Sequence, residues 1–140
     1  MTKFDQLLPS PFYRVSIKLI IKNDQDKLLL VRTDEGWEMP GGGWEHGETF
    51  DECITREIKE ELGVEAIDHT DILFVYKGLN VKNYMAIRLV VKAQLNNPPT
   101  QPEDEEILEI RFVTKEELLS LPMTGDEAPI KNYTDQLWPS

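Results

Sequence analysis

Apolar and polar positions alternate from Arg14 to Ile21. Val15, Ile17 and Leu19 fall between Ser16 and Lys18, and Ile20 and Ile21 close the run, which predicts a half-buried strand. Asn23 to Asp26 has turn chemistry, and Lys27 to Arg32 returns as a buried strand, so the two are expected to form a hairpin. Trp37 to Pro40 is expected to be extended, because the residue before a proline is pushed towards β or polyproline geometry. A glycine-rich loop follows. Thr49 with Glu52 three residues on is a capping-box signature, and it starts a helix from Phe50 to Leu62 with Gly63 as the stop. Phe50, Ile54, Ile58 and Leu62 give that helix an apolar stripe.

Beyond it, Val64 to Gly78 holds one strand, clearest from Ile72 to Tyr76, and Tyr84 to Gln94 holds another. The turn-forming stretch from Gly78 to Asn83 lies between them, so a second hairpin is expected. Residues 96–106 are a proline-rich acidic loop leading to a strand at Ile107 to Val113. Thr114 and Glu117 then cap a helix from Lys115 to Leu121. The tail, residues 123–140, is expected to hold a short helix near Lys131 to Leu137, and residues 1–13, with Pro9 and Pro11, read as an arm across the domain. No repeat breaks residues 1–140 into parts. Strands and helices alternate as in an α/β sandwich with a mixed sheet.

The 140-residue length fits one domain with one core, and no run approaches the roughly 18 apolar residues that span a bilayer. The first residues carry an acid and lack a continuous apolar segment, so no secretory signal is read and a cytoplasmic location is expected. Cys53 is the single cysteine, which excludes an intramolecular disulfide and is expected to pack as a small apolar residue. The net charge of -11 disfavours a long nucleic-acid backbone as partner but leaves a small phosphorylated substrate open.

The strangest feature is the glutamate content of the first helix. Glu60 and Glu61 lie three and four residues after Glu57, so the helical repeat brings all three onto one side. Each like-charge pair at that spacing costs roughly 0.2 to 0.5 kcal/mol. A hard divalent cation reverses the sign, since Mg²⁺ and Mn²⁺ take oxygen ligands from carboxylates and from substrate phosphates.

Gly42, Glu48 and the run Arg56, Glu57, Glu60, Glu61, Leu62, Gly63 and Val64 stand at the spacing of the Nudix box, with no departure at a defining position. The sequence therefore resembles the Nudix hydrolase family. The resemblance implies an α/β/α sandwich that hydrolyses a diphosphate linkage in a nucleoside diphosphate derivative with Mg²⁺ or Mn²⁺. By the same resemblance, Glu57, Glu60 and Glu61 are metal ligands, the Gly41 carbonyl is a further one, and Glu48 and Arg56 fasten the loop to the helix. The base that activates water is Glu57, Glu60 or a glutamate of the loop carrying Glu103, Glu105 and Glu106, which also matches an additional ligand position.

Arg14, Arg32 and Arg88 are candidates for gripping phosphate, because a guanidinium suits bidentate contacts. Trp37, Tyr76 and Tyr84 are candidates for stacking on a base, with core or rim packing the favoured alternative for each. His46 and His69 are expected to have solvated or locally bonded roles. Leu79 and Asn80 fill the places where particular Nudix subfamilies carry a tyrosine or a proline, which leaves the substrate open. Such domains often pair, so a homodimer is a further expectation. Two other readings compete: a nucleotide-sensing module without turnover, and trimming of 5′-triphosphorylated RNA ends.

Overall fold

The computed structural model describes residues 12–78 and 85–140. Most of the arm, together with Tyr84, Leu79, Asn80 and the turn before Tyr84, lies outside the described residues. Among the described residues, eight strands make two sheets. The first joins β4 (Gly41–Gly43), β1 (Tyr13–Ile20), β7 (Met85–Leu95) and β5 (Ala66–His69) in that order, with β6 (Phe74–Lys77) also pairing β7. The second has β2 (Leu28–Thr33) between β3 (Gly36–Glu38) and β8 (Glu109–Val113). β1 and β7 run parallel and the other pairs antiparallel, so the sheet is mixed.

One hydrophobic cluster lies on each side of the strands. Ile17, Leu19, Leu29, Val31 and Val91 face α1 (Phe50–Leu62), where Cys53, Ile54, Ile58 and Leu62 complete the cluster. Ile20, Leu28, Leu30 and Val90 face the other way, against Leu118 of α2 (Lys115–Ser120), Ile130 of a 3-10 helix (Ala128–Tyr133) and Leu137 of α3 (Thr134–Leu137). The architecture is an α/β/α sandwich. β2 is apolar on both faces because both layers close on it.

Several local expectations are met to the residue. Thr49 and Thr114 each form a full capping box with Glu52 and Glu117, and Gly63 ends α1 in the left-handed region at φ +70°. Others need correction. The two segments bridge at Lys22 and Leu28, with Leu29 donating to the Ile21 carbonyl at 2.8 Å, and β1 and β2 then part into different sheets, β2 pairing β3 and β8 instead. The segment expected to hold one strand before Gly78 holds two, β5 and β6, and Ile72 and Leu73 lie exposed before β6. The glycine loop is a strand at its start: Gly41 to Gly43 pair with Lys18 to Ser16.

Candidate active site

Three devices place α1 against β4. The apolar stripe seats the helix on the sheet, each fully buried Leu or Ile contributing about 1.5 to 3 kcal/mol. The absent side chain at Gly42 then lets it close in, and that at Gly41 lets β4 lie against β1. Gly41 has φ +127°, and a Cβ there would overlap the carbonyl of Ile17. A Cβ on Gly42 would stand 2.5 Å from the Glu57 carboxylate, so this position is a cradle for that group. Finally, Arg56 ties helix to loop: its Nε and Nη2 donate to the two oxygens of Glu48 at 3.0 and 2.8 Å, and Nη2 also reaches the Gly43 carbonyl at 3.0 Å. Glu48 in turn accepts from the Glu45 N–H at 2.8 Å.

Glu57, Glu60 and Glu61 share a side of α1 but do not converge. Among the described residues, no three acidic, histidine or cysteine side chains gather at ligand spacing. Arg56 Nη1 donates to Glu57 Oε1 at 2.8 Å and to Glu60 Oε2 at 3.3 Å. Glu61 turns to the strand edge instead, accepting the Gly41 N–H at 2.6 Å. The single patch expected from helical spacing is thus divided by partners that the helix alone does not show. Glu57 and Glu61 are 8% and 4% exposed, whereas Glu60 is open to solvent.

Burial raises the Glu57 carboxyl above its ordinary range, with Arg56 opposing. Burial pushes Glu61 well above it, against the pull of the Lys18 charge and the Gly41 N–H. Glu48 behaves oppositely, because its bonds from Arg56 hold it down at about 2. Two sequestered carboxylates beside a side-chain-free strand make an oxygen-only donor set. That set suits Mg²⁺ or Mn²⁺.

The remaining candidates scatter. The Arg14 guanidinium lies over Gly43. Arg32 sits on the second sheet, its Nε 3.2 Å from Glu109 Oε1. Trp37 is corrected from a base-stacking surface to a core residue: it is 4% exposed, with Arg111 and Arg32 guanidinium groups 4.7 and 5.9 Å from its ring centre. Its place opposite Arg32 in the β2–β3 ladder turns the indole inward. Tyr76 and Arg88 are buried as well, bonded to acids of the C-terminal segment. The loop of Glu103, Glu105 and Glu106 docks by its backbone, the N–H groups of Glu103 and Asp104 meeting the Glu60 carbonyl at 2.9 and 2.8 Å. Its glutamate side chains point to solvent, with Glu103 near Lys59. His69 bonds Asp51 and the Thr70 carbonyl, and Cys53 is packed, its thiol pushed up to about 12 chiefly by burial.

Sequence reasoning missed one cluster. Lys18, Glu38, Arg88 and Glu127 form a buried charge network behind β4. The only signal was Lys18 itself, whose place on the polar side of an alternating strand reads as solvent-facing until the C-terminal segment covers it.

Comparison with known proteins places this geometry. An RNA pyrophosphohydrolase from Ruthia magnifica subsp. Calyptogena magnifica is 32% identical over 69 residues, 48% of this chain but only 38% of that relative. A MutT protein from Methanosarcina mazei Go1 superposes with TM-score 0.75 at 22% identity, over 91% of this chain and 94% of that one. A UDP-X diphosphatase gives TM-score 0.70 at 28% identity, over 96% and 67%. The family description "NUDIX domain" matches residues 12–134, and with the arrangement of α1 against β4 this shows that the chain belongs to the Nudix hydrolase family.

Proposed function

We propose that the chain hydrolyses the diphosphate linkage of a small nucleoside diphosphate derivative, with Mg²⁺ or Mn²⁺ held by Glu57, Glu60, Glu61 and the Gly41 carbonyl. The observation that carries this is the pair of buried carboxylates, Glu57 in the Gly42 cradle and Glu61 on the Gly41 N–H. A divalent cation there supplies charge neutralisation for phosphate oxygens and a lowered pKa for water. Glu60, the most exposed of the three, is free to accept a proton from the attacking water. Arg56 bridges Glu57 and Glu60 through one nitrogen, and Glu48 keeps Arg56 in place. Arg14, above Gly43, meets the substrate's phosphates, and Arg32 is a second candidate. The exposed glutamates at positions 103, 105 and 106 supply a further ligand or base next to Glu60.

Relatives named for RNA pyrophosphohydrolase and UDP-X diphosphatase support the reaction class and leave two substrates in view, a 5′-triphosphorylated RNA end and a nucleotide carrying a second group. The charge of -11 favours the second. Glu60→Gln and Glu61→Gln are each expected to cut turnover by about 10² or more while circular dichroism stays unchanged. Near wild-type hydrolysis in both would sink the metal assignment. Assays of nucleoside triphosphates, nucleotide sugars, ADP-ribose and triphosphorylated RNA with either metal then separate the substrates, and no metal-dependent release from any would favour the sensing module.

A further inference from the structure

Lys18 is 3% exposed, and beyond the pull of its charge on Glu61 its ammonium has a set of contacts of its own. It lies 3.2 Å from Glu127 Oε1 and 4.0 Å from Glu38 Oε1, and it donates to the Met39 carbonyl at 3.2 Å. Glu127 is fully buried and belongs to the C-terminal segment. Its carboxylate also accepts from the Tyr76 hydroxyl and stands 2.9 Å from Arg88 Nε, a contact that is ionic rather than an aligned hydrogen bond. Arg88, itself bonded to Ser16 of β1 at 2.9 Å, attaches that segment through Asp126 at 3.1 Å, alongside the backbone bonds of Trp37 to Pro122 and Thr124 and the packing of Ile130 and Leu137. Lys18 does something else. It connects the segment to the residues running into β4.

That connection ends at the metal site. Lys18 is the Cα partner of Gly41 in the β1–β4 ladder, and the next residue, Leu19, donates its N–H to the Pro40 carbonyl at 2.9 Å. Lys18 therefore holds Met39 from its side chain while β1 holds Pro40 and Gly41 from its backbone. The held strand presents the Gly41 N–H to Glu61 at 2.6 Å. An ammonium is costly to bury unless several partners compensate it. A methionine would fill the same space without needing any of them.

We propose that Lys18 is a positioning residue for the metal-binding strand: anchored by Glu127, its ammonium holds the Met39 carbonyl and so fixes Gly41 against Glu61. The inference rests on the metal-site reading above. Groups that orient metal ligands without touching the metal commonly change affinity by 10- to 100-fold when removed.

Lys18→Met is the decisive variant, because Glu127 keeps Arg88 and Tyr76 as partners and Glu38, the other acid facing Lys18, is 21% exposed and reaches solvent. Two readouts are taken on the same protein: Mn²⁺ binding by calorimetry, and hydrogen exchange of the Gly41 amide by NMR. Lys18→Met is expected to weaken Mn²⁺ binding about tenfold and to speed Gly41 exchange by a similar factor. Glu127→Gln is expected to follow it. Ile130→Val loosens the same C-terminal segment without touching Lys18, and should leave both readouts within about twofold of wild type.

The proposal is overturned if Lys18→Met stays within about twofold of wild type, or if Ile130→Val weakens Mn²⁺ binding equally. Should wild type itself bind no Mn²⁺, the metal-site reading fails. Gly41 exchange then decides alone, and an unchanged rate in Lys18→Met overturns the positioning role.

Discussion

Arg56 holds three carboxylates from a partly exposed position, and Arg88 holds two in the interior. The Arg56 cluster draws Glu48, Glu57 and Glu60 from one short stretch of chain, and its cation is a quarter exposed. The Arg88 cluster collects Ser16, Asp126 and Glu127 from strands and a tail more than a hundred residues apart, and the guanidinium is 6% exposed. Water can replace a lost partner at the rim and cannot do so inside. One network is therefore expected to set activity and the other stability.

The sharpest break would come from removing each arginine. Arg88→Met breaks the ion pairs to the fully buried Glu127, which keeps Lys18 and Tyr76, and to the partly buried Asp126, and is expected to cost about 3 to 5 kcal/mol in urea unfolding. Arg56→Met is expected to cost only about 1 kcal/mol in the same assay, yet to lower turnover about 10- to 100-fold by misaiming Glu57 and Glu60. Equal stability losses would erase the distinction.

A smaller effect tests the frame that carries the rim cluster. Thr49→Ala removes the cap on α1 and is expected to cost about 1 kcal/mol, read as a shift of the unfolding midpoint at constant slope. The weakest effect is a pH dependence. Glu48 has its folded-state carboxyl at about 2, against roughly 4.3 in an unfolded chain. Its contribution is complete above the unfolded value and is lost as pH falls towards the folded one. Acid titration of wild type should thus show a loss of stability in that window that Glu48→Gln lacks. Parallel curves would show that the Arg56 clasp contributes nothing to folding.

The same contrast explains what could be read from the chain. The capping boxes at Thr49 and Thr114, the apolar stripe of α1 and the stop at Gly63 are local, so propensity and spacing specify them to the residue. Spacing also put Glu57, Glu60 and Glu61 on one side of the helix. It could not show that Arg56 and the Gly41 N–H would divide them, since one partner's reach and the other's approach depend on how β4 docks. Trp37 was left between two roles for the same reason. An aromatic in a short strand is equally a platform or a core residue until the opposing layer is in place, and here Arg111 and Arg32 cover it.

By itself the sequence determined the elements, the family resemblance and the residues proposed to carry the chemistry, because a helix, its caps and a box of fixed spacing are all short-range. Tertiary structure decided which polar side chains are inside. Lys18 and Ser16 look like the wet side of an alternating strand, and only the return of the C-terminal segment over them makes their charges and hydroxyls part of a closed interior network. Burial is a property of what arrives from elsewhere in the chain. The local pattern can name a residue's face, but not what will cover it.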